Sequence, residues 1–173
     1  MISFMYVNDW KVDAAFSMEK LPNATTLLFT VIFCMMCEDL AFYCSHNMLH
    51  TKYFYPYIHK VHHMHKTTVC IAAEHAHPVE FLLGNMLPVL VGPMILGKHN
   101  HFYATVIWSI VRLLDSTEGH SGYEIPWSPL RLVPFATSNA YHDYHHSANV
   151  GNYASWFTVW DTLFRTNKDY YKH

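Results

Sequence analysis

The chain is short of charge. Asp, Glu, Lys and Arg make up 14% of its 173 residues while aromatic residues reach 16%; ordinary soluble domains carry about 25% charge. A water-facing surface of normal make-up cannot be built from that supply. Basic residues are scarcest: 11 lysines and arginines are outnumbered by 15 histidines, at a net charge of -2. This excludes nucleic-acid binding through a basic face and turns attention to the imidazoles. Cysteine is also sparse. Cys34, Cys37, Cys44 and Cys70 form no disulfide framework, and three of them lie in or beside one apolar run, so they read as small buried hydrophobes. The first twenty residues carry Asp9, Asp13 and Glu19 and lack the basic start and apolar core of a secretory signal. Membrane insertion is expected to come from inside the chain.

The histidines are patterned. HNMLH (His46, His50), HKVHH (His59, His62, His63) and HDYHH (His142, His145, His146) each repeat a spacing of three or four residues, which gathers side chains on one helix face. At 100° per residue, each cluster falls within about 100° of arc. Eight converging imidazoles are twice what a structural zinc site uses, so two metals are implied, each with room for an open position. Neutral imidazole binds zinc, iron, copper and nickel, and spacing alone leaves the metal open.

The surroundings of the clusters narrow the reading. Behind Asn23, a plausible N-cap, ATTLLFTVIFCMMC opens an apolar run. A helix over residues 24–50 would be about 40 Å long, more than the roughly 30 Å hydrocarbon core. Its far end carries Glu38, Asp39, His46 and His50. Asp39, His46 and His50 share one stripe, which suggests Asp39 as an acceptor orienting a ligating histidine; the alternative is that both acids mark a water-exposed helix end. Next, Lys52, Lys60 and Lys66 interleave with Tyr53, Phe54, Tyr55 and Tyr57, the mixture of a cytoplasmic membrane interface. Pro56 suits the first turn of a helix bearing the second cluster.

Residues 81–97 and 102–114 read as a helical hairpin that dips into or barely crosses a bilayer, with His99 and His101 in its loop. His77, before Pro78, either approaches the site or lies on the surface. The polar stretch that follows the hairpin has the length of a functional loop and offers His120 as a ninth ligand. Two ferrous ions on neutral ligands would carry a surplus positive charge, which gives Asp39, Asp115, Glu118 and Asp143 a reason to lie nearby as outer-shell partners. The expected fold is all-α: an integral membrane helical protein with a cytosol-facing histidine-rich di-metal site, one domain over residues 1–173. A dinuclear site under an apolar roof suits O2-dependent attack on a lipid C–H bond, which requires redox-active iron.

The three clusters, in this order and with a long gap before the third, resemble the signature of the membrane fatty acid hydroxylase and sterol desaturase superfamily. YPYIHKVHH, AEHAHPVE, RLLDSTEGHSGYEIP, PLRLVPF, HDYHHSANVGNYAS and WDTLF are similar to its 4-methylsterol monooxygenase branch, across residues 19–166. The resemblance implies a non-haem di-iron oxygenase of the endoplasmic reticulum membrane, multi-pass, that oxidises a sterol C4 methyl with O2. Its electrons would come from NAD(P)H through cytochrome b5 and its reductase. It carries over His46, His50, His59, His62, His63, His142, His145 and His146 as ligands and supports His120. Sterol desaturation, side-chain removal or fatty-acyl hydroxylation are alternatives on the same scaffold, as is a truncated, non-catalytic metal-binding membrane protein. Members of the family usually begin with further transmembrane helices, which this chain is expected to lack. Arg165 stands where their closing motif usually has glycine.

Overall fold

The computed structural model describes residues 21–172; the expectation for the first twenty residues lies outside them. Regular structure among the described residues is helical, with a single isolated antiparallel bridge between Ala136 and Phe157. Helix α1 (Ala24–Leu49) starts where the Asn23 side chain accepts the Thr26 amide at 2.8 Å. After two 3-10 turns, His59–Met64 and Cys70–Glu74, come α2 (Pro78–His99), α3 (Phe102–Gly119), α4 (Asn139–Ala148) and α5 (Val159–Phe164). The second histidine cluster therefore rides a 3-10 turn and not the α-helix expected behind Pro56. Residues 51–58 run as successive turns, and proline disfavours helical backbone in the residue before it.

Exposure is inverted relative to a water-soluble bundle. α1 exposes Leu28, Phe29, Ile32, Phe33 and Met36; α2 exposes Leu82, Leu83, Leu87, Met94 and Ile95; α3 exposes Val106, Ile110, Leu113 and Leu114. Among the described residues, 21 polar or charged residues are buried against 10 apolar ones. α1 and α2 are each long and apolar enough to cross a membrane, with mean hydropathy 1.8.

Buried charge is costly unless paired, and here it is paired in a chain. Arg112 Nε donates to Glu38 Oε1 at 2.7 Å and its Nη1 lies 3.6 Å from Asp115. Arg131 reaches Asp115 at 3.0 Å and Glu118 at 3.1 Å. These links tie α1 to α3 and to the loop before α4. A small apolar cluster of Cys34, Trp108 and Trp156 sits beside them, and Trp108 Nε1 donates to the Val89 carbonyl at 3.0 Å, joining the α2–α3 hairpin.

α1 and α2 approach closely at Gly92. A Cβ there would meet Cys34 Cα at 2.7 Å, so only glycine lets these two backbones touch. Cys34 is buried as expected, Cys37 is half-buried, and Cys44 and Cys70 are exposed. His77 and His101 act locally, each accepting an amide at the start of its helix, from Val79 and Tyr103 respectively.

Gly92→Val should force α1 and α2 apart, lowering stability by about 1–3 kcal/mol, the usual cost of overpacking. Thermal unfolding in detergent measures it; an unchanged melting temperature would show that the contact is not needed.

Candidate metal centre

Nine of the fifteen histidines collect in two adjoining groups. His46, His50, His59, His63 and His145 form one, and His62, His120, His142 and His146 the other; within each, the candidate donor atoms lie within 4.8 Å of one another. The structure thus brings together all eight clustered histidines and His120, and leaves His65, His75, His77, His99 and His101 outside.

Local geometry explains the division. α4 presents His142 and His146, one helical turn apart, to the second group and turns His145 toward the first. The 3-10 turn does the reverse: His59 and His63 face the first group and His62 the second. Each H-x-x-H-H motif therefore straddles both groups. His46 and His50, at the end of α1, serve the first group alone, and His120, the C-cap of α3, completes the second.

The ring nitrogens are sorted by their partners. Nδ1 of His46, His62, His120 and His145 faces the backbone carbonyls of Tyr153, His75, Ser116 and Gly151 at 2.8, 3.2, 2.8 and 2.5 Å. Nδ1 of His59 faces Glu80 Oε1 at 2.7 Å. A carbonyl or carboxylate only accepts, so these rings carry their proton on Nδ1 and point a bare Nε2 lone pair inward. The Nε2 atoms meet one another: His50 lies 2.9 Å from His59 and 3.1 Å from His145, and His59 lies 3.1 Å from His63. In the second group, His120 lies 2.9 Å from His142 and 3.3 Å from His62, and His142 lies 3.1 Å from His146. His62 and His120, both bare at Nε2, face each other at 3.3 Å, and two lone pairs this close repel unless a cation lies between them. Around an ion bound at about 2.1 Å, neighbouring nitrogens sit roughly 3.0–3.4 Å apart, so the donor set fits one metal ion per group.

Burial and mutual proximity hold these imidazoles neutral. Burial pushes the pKa values of His62, His63 and His146 down to about 3, and those of His50, His59, His120, His142 and His145 well below the ordinary value, with neighbouring imidazoles adding to the effect. Neutral is the form that ligates a metal.

The outer carboxylates are not the ones anticipated. Asp39 Oδ1 accepts the amides of Trp156 and Phe157 at 2.7 and 3.3 Å instead of an imidazole. Seven residues before His46, it stands two helical turns, about 10 Å, up the same stripe, too far to reach the ring. Asp115 and Glu118 are engaged by arginines, and Asp143 accepts the hydroxyl of Thr68 at 2.8 Å. Two other acids hold the histidines. Glu80 bonds His59 directly. Asp161, fully buried, accepts the amides of Tyr153 and Ala154 at 2.9 and 2.8 Å and the Tyr141 hydroxyl at 2.9 Å. It fixes the loop whose carbonyls orient His46 and His145. Glu80 carried a readable signal, an acid at the mouth of an apolar run; the Asp161 role depends on backbone carbonyls and carried none.

Phe42 lines the cavity beside the histidines, whereas Tyr53, Tyr57, Trp127 and Phe135 are exposed. Arg165 has φ 60°, the left-handed conformation that favours glycine.

A helical scaffold holding two convergent imidazole groups defines a histidine-rich candidate metal centre. The chain belongs to the fatty acid hydroxylase family, whose model matches residues 31–166. It is 42% identical over 154 residues to a very-long-chain aldehyde decarbonylase of Oryza sativa, covering 87% of this chain and 56% of the relative. It is 40% identical over 155 residues to methylsterol monooxygenase 1 of Gallus gallus, covering 88% and 50%, and 40% identical over 155 residues to that of Danio rerio, covering 90% and 52%. The chain spans little more than half the length of these relatives. No solved structure matches it.

Two outcomes are expected. Glu80→Ala, which frees His59 to turn, should weaken metal binding about 10- to 100-fold, read by chelator competition; unchanged affinity would remove Glu80 from the site. In the metal-free protein, the folded histidines refuse protons that an unfolded chain accepts near pH 6.5. Their contribution to stability is present above pH 6.5 and is lost as pH falls from there toward 3. Denaturation midpoints measured across that range should drop with acidification, and a flat profile would contradict neutral burial.

Proposed function

We propose that the chain is a membrane-bound non-haem di-iron oxygenase acting on a sterol, oxidising the C4 methyl group with O2 and electrons delivered by cytochrome b5. The observation that carries this reading is the pair of adjoining imidazole groups, whose candidate donor atoms lie within 4.8 Å of one another in each group. His46, His50, His59, His63 and His145 would hold one iron and His62, His120, His142 and His146 the other. Asp39, Asp115, Glu118 and Asp143, expected beside the ligands, brace the surrounding helices and loops instead. Bound iron supplies O2 activation for oxidation of an unactivated C–H bond.

The protein's own contribution is position and exclusion of water. Carbonyl and Glu80 bonds lock the ring orientations, Phe42 and Leu49 form an apolar wall of the adjoining cavity, and the Glu38–Arg112–Asp115–Arg131 chain fixes its other side. The inverted exposure supports a single membrane-embedded domain with α1 and α2 as spans. Lys52, Lys60 and Lys66, all exposed beside the second cluster, favour a cytosolic orientation of the site, in the endoplasmic reticulum as the sterol reading requires. A second reading, long-chain aldehyde chemistry on the same centre, is favoured by the 42% identity to an aldehyde decarbonylase.

Expression in cells that lack C4-methyl oxidase, followed by mass spectrometry, distinguishes these. Loss of 4,4-dimethylsterols is the expected result; persistence of the sterols with consumption of long-chain aldehydes selects the second reading. Purified protein should hold two irons per chain, and His62→Ala should lose about half of them. Two retained irons in that variant would refute the ligand assignment.

A further inference from the structure

Two concavities meet beside the metal centre. One is the histidine-lined cavity with Phe42 and Leu49; the other is a groove between α2 and α3 with Phe81, Met86, Val89, Leu90 and Leu113 on its walls. They share three residues, Asn85, Arg112 and Ser116. An apolar groove on the outer face therefore leads to the site through a polar neck.

Asn85 is the unusual member of that neck. It interrupts the apolar sequence FLLGNMLPVL in a membrane-length helix, where a polar side chain is costly and marks a functional surface. It lies in the π-helical turn Phe81–Met86, within which the Leu87 amide bonds back to the Leu82 carbonyl. In an α-helix, residue 85 would stand about 140° round from residue 80. The wider π turn reduces that offset, and Asn85 lines the histidine cavity as well as the outer groove. No hydrogen bond is made by the Asn85 carboxamide or by the Ser116 hydroxyl among the described residues, whereas Arg112 is engaged by Glu38 and Asp115. The neck offers uncommitted, uncharged donors and acceptors, beside an arginine whose charge is already balanced.

We propose that Asn85, with Ser116, binds the neutral hydroxyl of the lipid substrate and thereby sets which carbon faces the metal centre. This rests on the sterol reading above. In a 4-methylsterol the C3 hydroxyl is on the ring carbon next to the one that bears the reacting methyl. A hydroxyl held at the neck leaves the methyl pointing into the histidine cavity and the ring system along the apolar groove. A neutral neck also discriminates against anionic fatty acids, which would find no unpaired cation there.

The test compares a 4,4-dimethylsterol with its 3-deoxy analogue on the detergent-purified holoenzyme, by turnover and by displacement of a bound fluorescent sterol. The parent protein should bind the hydroxylated sterol about tenfold or more tightly than the analogue, the scale of one hydrogen bond in a dry site. Asn85→Leu should lose that preference by weakening only the hydroxylated sterol, with iron content and melting temperature unchanged. Asn85→Ser, which keeps a donor and acceptor, should recover part of it. Equal affinity for the two sterols in the parent, or full preference in Asn85→Leu, overturns the proposal. If the Leu variant fails to fold, the parent comparison and Asn85→Ala decide in the same way. A parent that binds the hydroxylated sterol tightly but leaves its methyl intact contradicts the oxygenase reading while sustaining the binding role of Asn85.

Discussion

The arrangement depends on one electrostatic condition: nine neutral imidazoles are packed with their donor nitrogens gathered at two points. Nothing in water would hold them so. Five of the nine have their outward nitrogen tied down, four by backbone carbonyls and one by Glu80. A carbonyl cannot donate a proton, so each such bond selects both a tautomer and a direction. The folded chain stores the repulsion among the inner nitrogens as affinity for whatever cation relieves it.

That condition accounts for much of the architecture around it. Carbonyls at 151 and 153 have to be rigid, and Asp161 makes them so by gathering two amides and the Tyr141 hydroxyl. Asp39 anchors the next stretch of the same segment to α1 through the amides of Trp156 and Phe157. Buried arginines balance the acids that brace α1, α3 and the loop. The result is a polar interior behind helix faces that expose apolar side chains, and a quarter of the chain's few charged residues, Glu38, Asp39, Glu80, Arg112, Asp115 and Asp161, lie in that interior.

Helices and candidate ligands were legible because both are periodic. The α1 start at Asn23, the α2–α3 hairpin and the nine histidines could be read from spacing and turn residues. The division of each H-x-x-H-H motif between two groups could not, because it depends on the direction from which the other helices arrive. The second cluster shows the same limit: its spacing fits an α-helix and a 3-10 turn about equally, and residues 51–58 decide for the turn. Asp39 shared a stripe with His46, yet a stripe says nothing about distance along the axis, and two turns put the carboxylate at Trp156. Glu80 lies in a different helix from the ring it holds, so only tertiary structure pairs them.

The straddling of both groups by the second and third clusters has an evolutionary consequence. Because alternate members of each motif face different centres, a single inserted or deleted residue inside either one would exchange ligands between centres, or turn them away, instead of merely loosening one. Lineages can drift freely in the connecting loops, but the intervals within HKVHH and HDYHH admit substitution only, and lengths between those histidines should stay frozen where almost everything around them changes.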